Sequence, residues 1–309
     1  MLYIYIYIYN IYIYNIYNIN IMPEKILRLG LTECTLLFMY WLKYHKNIDI
    51  KNNKMLLGSK NNLIKWLYTT SGYYDKTQSG NYFNVRHNNH DNDTYIYKKY
   101  MNIIFDFIKN SDMFCFALHR VQNNIIENIQ DFKKNVDPKK KGHITRQIIF
   151  DFVKNKKILI VSPFSKLIKS QIDTGNWKHI YPNAPTIVNS CTYTFPYTFF
   201  NDGPHNNILE TSQYLFNNII ETINEEYDNI LISCGAYSCL MAKQFYDIGK
   251  NVCTVGGDLQ AYFGIQNGRT KQLFRRTKEE LENKEYWIID IPEEYKPKDY
   301  MKIEKGCYW

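Results

Sequence analysis

The chain of 309 residues contains no CxxC pair, and its seven cysteines stand singly along the sequence. An odd number of isolated cysteines, several of them inside apolar runs, does not build a disulfide framework or a zinc site. We therefore expect reduced, buried thiols in a cytoplasmic protein. The histidines also lack the spacing of metal ligands, since His87 and His90 fall in VRHNNHDND, which we interpret as a loop.

Basic runs interleaved with aromatic residues are missing too, although the formal net charge is +8. A groove for single-stranded nucleic acid needs that interleaving. The chain is rich in Asn, Ile, Lys and Tyr, the residues of A/T-only codons, so its lysines indicate an AT-rich genome. We expect no nucleic-acid partner. The absence of a GxGxxG fingerprint likewise disfavours a dinucleotide-dependent enzyme, and no NAD is expected.

The first 21 residues are a low-complexity tract in which Tyr alternates with Ile and Asn interrupts. No Lys or Arg precedes the tract, which disfavours both a signal peptide and a membrane span. A repeated TA dinucleotide read in frame encodes Tyr-Ile without limit. Our hypothesis is that residues 1–21 are a translated microsatellite and that Met22 is the working start, so we leave this tract out of the fold.

Apolar strands alternate with amphipathic helices in the rest of the sequence. Strands are predicted at 25–30, 113–120, 156–164, 229–235 and 251–257, and helices at 32–45, 165–171, 207–227, 236–250 and from 258 onward. This alternation predicts an α/β fold, a Rossmann-like and mostly parallel sheet with helices on both faces. We expect one domain over residues 22–309, with a possible linker near 133–143, where Pro, Gly and lysines cluster.

Glycine-rich turns follow two of these strands. Ligands of parallel α/β sheets lie beyond the carboxyl ends of the strands, where free N–H groups at a helix start suit a diphosphate. Gly235 and Ala236 open one such turn, and the next residue, Tyr237, either stacks on a base or sugar or packs in the core around a tight corner. Cys234 is expected to be buried packing rather than a nucleophile.

The second glycine-rich turn is formed by Gly256 and Gly257. Gln260 is a candidate for contact with a base edge or a sugar hydroxyl. Asp258 is either a helix cap or a carboxylate that repels phosphate at the same place.

The turn after the first strand carries a basic and an acidic residue around Gly30. Arg28 is a candidate phosphate ligand, and Glu33 is a candidate metal ligand or base for an acceptor hydroxyl. Alternatively, Arg28 and Glu33 form an ion pair at the helix start. Arg269 is a candidate to neutralise a leaving diphosphate, or it is a surface arginine.

Four further residues carry structural expectations. Pro163 is predicted at a first helical position. Gln171 is expected to be structural, and the terminal aromatic residues at 308–309 are expected to dock on the body of the protein.

Several blocks of the sequence resemble, in order, the GT-D-type glycosyltransferase-like family of bacterial and viral proteins, which is associated with polysaccharide synthesis. The blocks are ILRLGLTE, TTSGYYD, ILIVSPFSKLIKSQ, ILISCGAYSCLMAKQFYDIGKNVCTVGGDLQAYFGIQNGR and the terminal IEKGCYW. The resemblance covers about residues 25–309. It implies a Rossmann-like fold and a nucleotide-sugar donor, with an unidentified glycan or protein acceptor.

The same resemblance implies a divalent metal, Mn²⁺ or Mg²⁺, held by a D-x-E pair in the opening turn. Here Leu31 stands where the Asp is expected, so Glu33, helped by Asp258, would have to hold the metal. The leading interpretation is a sugar-nucleotide-dependent glycosyltransferase or a relative that binds the same donor. The alternatives are a scaffold or binding subunit that has lost the metal-binding Asp, and an α/β structural protein whose glycine turns are only corners.

Overall fold

The computed structural model describes residues 22–30, 33, 37, 40–41, 44, 90–109, 113–116, 144–197, 205, 207–268, 283–298, 300–302 and 306–309. The low-complexity tract, the TTSGYYD block, the predicted linker at 133–143, the predicted end of the second strand at 117–120 and Arg269 lie outside these residues.

Six strands form one parallel sheet; five of them were predicted from the alternating pattern, and the fourth in chain order was not. They are β1 (Lys25–Leu29), β2 (Met113–Phe116), β3 (Lys157–Ser162), β4 (Asn189–Thr194), β5 (Asn229–Ile232) and β6 (Asn251–Thr254). Their spatial order is β2-β1-β6-β5-β3-β4, and every neighbouring pair is parallel. Strands from both sides of the predicted linker therefore share a single sheet. The predicted α/β, Rossmann-like fold class is confirmed.

The helices of the described residues are α1 (His90–Lys109), α2 (Arg146–Val153), α3 (Ser165–Asp173), α4 (Asn176–Ile180), α5 (Ile208–Thr222) and α6 (Tyr237–Asp247). Short 3₁₀ turns follow at Gln260–Phe263, Lys284–Tyr286, Glu293–Tyr295 and Tyr300–Lys302. The described residues of the segment predicted as a helix at 32–45 are helical as well.

Alternating strand residues supply two separate cores, one on each face of the sheet. Leu159 and Val161 of β3 belong to a core that includes buried residues of α1, α5 and α6. Ile158 and Ile160 belong to a second core with buried residues of α2, α3 and α4. The central strands are therefore buried on both faces, which explains their continuous apolar sequences.

Local sequence sets the ends of several helices. The Thr145 side chain accepts a hydrogen bond from the Ile148 N–H and caps α2. The Asn207 side chain accepts from two N–H groups at the start of α5. Gly249, with φ of 83°, follows α6 in a left-handed conformation that suits glycine at the end of a helix.

Several predicted boundaries are wrong, and the strands predicted at 229–235 and 251–257 end at Ile232 and Thr254. Helix α1 begins at His90, which we had interpreted as part of a loop. The helix predicted at 207–227 ends at Thr222. Helix α3 begins at Ser165, so Pro163 lies in the turn before it. The helix predicted from Asp258 is only the 3₁₀ turn Gln260–Phe263, which Gly264 ends with φ of 78°.

Gln171 has the structural role predicted for it. Its buried side-chain amide donates to the carbonyl groups of Gly264 and Tyr286, at 3.2 and 2.9 Å. The amide ties α3 to the segments that follow the sheet.

Among the described residues, no helix has both the length and the apolar character needed to cross a membrane.

Candidate functional site

Four of the predicted turns lie side by side at one edge of the sheet. Strands β1, β6, β5 and β3 are consecutive in space and parallel, so their carboxyl ends share that edge. After β5 the chain continues to β6 on one side, and after β3 it continues to β4 on the other. Such a reversal opens a crevice beyond the strand ends, where open α/β sheets bind ligands.

The turn after β5 presents backbone N–H groups at this edge. Gly235 is exposed and left-handed, with φ of 58°, and Ala236 is right-handed helical. Adjacent residues of opposite hand point their N–H groups to one side and form a concave anion site. Within the described part of the chain, these two N–H groups have no acceptor. No side chain caps the start of α6.

Two hydroxyl groups hold this turn in place. The Ser238 hydroxyl accepts from the Cys234 N–H at 3.0 Å. The Tyr100 hydroxyl of α1 donates to the Ala236 carbonyl oxygen at 2.8 Å, in a buried position. Tyr100 is not among the predicted site residues, because the sequence does not predict α1.

Arg28, at the end of β1, brings a guanidinium group to the same edge. The regular β1–β6 register ends at the pair Ile26 and Cys253. Beyond it, the Thr254 hydroxyl accepts from the Arg28 N–H at 2.7 Å and donates to the Arg28 carbonyl at 3.1 Å. Thr254 therefore replaces the backbone ladder and fixes where the Arg28 side chain begins.

The Arg28 side chain is only 12% exposed, and among the described residues it forms an ion pair with the carboxylate of Asp258. Nη2 of Arg28 and Oδ2 of Asp258 are 3.8 Å apart, which is too long for a hydrogen bond. The Nε atom is buried without a hydrogen-bond partner. The partner of Arg28 in the described residues is thus Asp258, so the alternative of an Arg28–Glu33 ion pair is wrong.

Gly256 makes room for this guanidinium. A Cβ atom at Gly256 would lie 1.9 Å from Nη1 of Arg28, and the φ of 79° is itself suited to glycine. The glycine after β6 is therefore needed twice, once for its backbone conformation and once for the close approach of Arg28.

Glu33 folds back over the end of β1. A Cβ atom at Gly30 would lie 2.3 Å from Oε2 of Glu33, so Gly30 also clears space for a charged side chain. Glu33 is close to the buried thiol of Cys239: burial raises the pKa of that thiol, and the Glu33 charge raises it further. The carboxylate of Glu33 therefore lies between the first turn and α6.

The two glycine-rich turns are joined to each other. The Ser233 hydroxyl donates to the Gly256 carbonyl oxygen at 2.7 Å. The Asn267 side-chain amide lies 3.4 Å from the Gly257 carbonyl oxygen. The turns after β5 and β6 are thus joined through Ser233, and sequence spacing predicted neither contact.

Two side chains predicted to bind ligand instead make contacts within the protein. Tyr237 is 1% exposed and packs against Phe195, so its ring is not placed to stack on a base or sugar. Gln260 is 3% exposed, and its amide donates to the Tyr308 carbonyl oxygen at 2.9 Å. Burial raises the pKa of the Cys234 thiol to about 12, in accord with the expected packing role.

The terminal aromatic residues dock as expected. Trp309 Nε1 donates to the Tyr295 carbonyl oxygen at 2.8 Å and to the Tyr197 hydroxyl at 3.1 Å. A Cβ atom at Gly268 would lie 3.3 Å from Cα of Cys307, so the terminus passes close beside this glycine. The Gly268 position matters because Arg269, the candidate for neutralising a leaving group, comes next in the chain.

The carboxylates at this edge do not fit a divalent metal well. Asp258 is paired with the Arg28 guanidinium, and a carboxylate that already neutralises one cation is a poor ligand for a divalent metal ion. Glu33 then remains as a single ligand. Among the described residues, no group of three or more His, Cys, Asp or Glu side chains is arranged to hold a metal ion.

Comparisons with protein-family models, curated proteins and solved structures find no match for this chain.

Proposed function

We propose that this chain binds a nucleoside diphosphate sugar at the carboxyl edge of the sheet and transfers the glycosyl group to an acceptor hydroxyl. The observation that carries the proposal is the Arg28 side chain, which is nearly enclosed, has a buried Nε atom without a hydrogen-bond partner, and belongs to the strand-end edge that also carries the Gly235–Ala236 turn. A buried guanidinium N–H without an acceptor is costly unless a ligand supplies one.

Two kinds of donor would share the diphosphate. The N–H groups of Gly235 and Ala236 would hold one phosphate at the start of α6, whose dipole favours negative charge. Arg28 would hold the other and stabilise the charge that develops on the leaving diphosphate. The hydrogen bond between Ser233 and Gly256 joins the turn after β5 to the turn that packs against Arg28.

Glu33 is the proposed base for the acceptor hydroxyl. Its carboxylate lies at the end of β1, the strand that also carries Arg28. Any Mn²⁺ or Mg²⁺ would have to be held by Glu33 and by oxygen atoms of the substrate, so no step is assigned to a metal.

A binding subunit without catalysis is the second candidate, and it is favoured by Leu31 at the position where the resemblance implies an Asp. Glu33→Gln separates the two candidates. If the chain transfers sugar and the variant retains full activity, Glu33 is not the base. If the wild type binds donor without consuming it, the binding subunit is supported.

The proposal is tested by thermal unfolding of the full chain with UDP-glucose, GDP-mannose, a TDP-sugar, UDP, GDP, NAD and ATP, each with and without Mn²⁺. A ligand at about 100 times its Kd stabilises by about 2.7 kcal/mol, or several degrees. We expect a shift with one nucleotide class that Arg28→Met abolishes.

Lys243→Met is the matched control, because it removes a cation that is paired with Asp247 on the α6 surface. A shift that both variants lose equally would show general destabilisation. If none of the ligands raises the unfolding temperature, the proposal is wrong.

A further inference from the structure

Arg28 and Asp258 form a close pair of opposite charges without a hydrogen bond between them. The two side chains are 12% and 14% exposed, and the nearest charged atoms are 3.8 Å apart. Solvent and salt screen such enclosed charges weakly. An anion that reaches the guanidinium of Arg28 therefore also meets the field of the Asp258 carboxylate.

The position of Asp258 is fixed by its surroundings. It directly follows Gly256 and Gly257, whose turn is tied to Ser233 and Asn267. Its carbonyl oxygen accepts from the N–H groups of the 3₁₀ turn after β6. Its charge also reaches Tyr262, whose phenol pKa is raised by burial first and by Asp258 second.

The charge of the ligand decides how strongly this carboxylate opposes binding. In a sugar-capped diphosphate, each phosphate has one ester linkage and shares the anhydride bridge, and so carries one negative charge. In a free nucleoside diphosphate, the terminal phosphate carries about 1.5 to 2 charges near neutral pH. The added charge is on the phosphate that has lost the sugar.

We propose that Asp258 is a specificity-determining residue, which makes the edge prefer a sugar-capped diphosphate to the free diphosphate. This inference rests on the proposed function, because it requires a diphosphate beside Arg28. In glycosyl transfer, the free diphosphate is the product, so the same carboxylate promotes product release.

The test is isothermal titration of the full chain with two ligand pairs, UDP-glucose with UDP and GDP-mannose with GDP. The wild type is compared with Asp258→Asn, Asp258→Glu and Asp247→Asn. Asp247 undergoes the same chemical change at the other end of α6, where it is paired with Lys243 on the surface. Thermal unfolding of each variant checks that it is folded.

Asp258→Asn is expected to strengthen binding of the free diphosphate by about tenfold and of the capped diphosphate by about threefold or less. The preference for the capped form then falls by at least about threefold. Asp258→Glu, which keeps the charge, and Asp247→Asn are expected to retain the wild-type preference.

Equal changes for both members of a pair, or weaker binding of both, would overturn the role of Asp258 while leaving the diphosphate site standing. A wild type that binds neither pair overturns the proposed function, and the role of Asp258 with it.

Discussion

Replacing Gly256 with alanine tests the geometry on which the site depends. The glycine has φ of 79°, and a Cβ atom there would lie 1.9 Å from Nη1 and 2.9 Å from Cζ of Arg28. The substitution therefore adds a backbone cost and forces the guanidinium to move. Because Arg28 is nearly enclosed, it cannot swing freely into solvent.

The two costs are estimated separately. A non-glycine residue in the left-handed region costs about 1 to 2 kcal/mol. Forcing extra atoms into a packed environment costs typically about 1 to 3 kcal/mol. Gly256→Ala is thus expected to lower the free energy of unfolding by about 2 to 5 kcal/mol, and to weaken diphosphate binding because the guanidinium is displaced.

Gly249 provides a matched control. Its φ is 83°, nearly that of Gly256, but a Cβ atom there would have nothing within 4 Å. Gly249→Ala should therefore show the backbone cost alone, about 1 to 2 kcal/mol. Urea unfolding measures both variants, and a shift of the midpoint at constant m value reports the change in stability.

A double-mutant cycle identifies the steric cost with Arg28. In an Arg28→Ala background, the guanidinium is gone and Gly256→Ala should cost no more than Gly249→Ala. The reasoning is refuted if Gly256→Ala and Gly249→Ala are equally destabilising in the wild-type background. It is also refuted if the cost of Gly256→Ala is unchanged when Arg28 is removed.

Three more predictions concern groups around the site and the terminus. Tyr100→Phe removes the hydroxyl that donates to the buried Ala236 carbonyl oxygen, and should cost about 1 kcal/mol in urea unfolding. Iodoacetamide at pH 8 should label half-buried Cys307 well before Cys234, whose pKa is about 12, as read by peptide mass mapping. Burial raises the pKa of Tyr197 from 10.0 to about 12. The contribution of this phenol to stability is therefore complete below pH 10.0 and is lost as the pH rises toward about 12. Tyr197→Phe should reduce this loss of stability at alkaline pH, as measured by unfolding experiments.

Each of these has an outcome that counts against it. Tyr95 lies on the same helix α1 and is exposed, so Tyr95→Phe should hardly change the stability. If Tyr100→Phe changes the stability no more than Tyr95→Phe, the buried hydrogen bond of Tyr100 does not contribute. Equal labelling rates for the two cysteines would contradict the burial of Cys234. An unchanged alkaline stability profile in Tyr197→Phe would contradict the raised pKa.

Most of the sheet was predictable because most of its strands are short apolar runs that stand out in the sequence. Runs such as KILIVS and NILI are buried on both faces, and each is followed by a turn that glycine or proline marks. Parallel pairing then places the ends of neighbouring strands at one edge whatever the details of packing. Arg28 and Gly256 were therefore assigned to the same edge on sequence alone.

Side-chain direction was not predictable in the same way. Tyr237 and Gln260 stand next to the right turns, but one ring enters the core and one amide binds the chain terminus. Both outcomes depend on partners that are distant in sequence, Phe195 and Tyr308. Asp258 was identified as a charge at the turn, but only the fold shows that it faces Arg28.

The missed elements have a related cause. Helix α1 begins in a stretch of Asn and Asp, residues with low helix propensity, and its packing against α6 outweighs that preference. Strand β4 is NSCTYT, a mostly polar edge strand without an apolar run to mark it.

The place of β1 between β2 and β6 has a consequence for how the chain folds. β1 lies between β2 and β6, and the hydrogen bonds between Arg28 and Thr254 join residues 226 positions apart. Loop closure over such a distance is slow, whereas β3, β4, β5 and β6 can pair within about one hundred residues of chain. During synthesis, β1 therefore has to wait for β6 to emerge. We expect the guanidinium of Arg28 to reach its place opposite Asp258 among the last events of folding, so that the binding edge forms only when the sheet is complete.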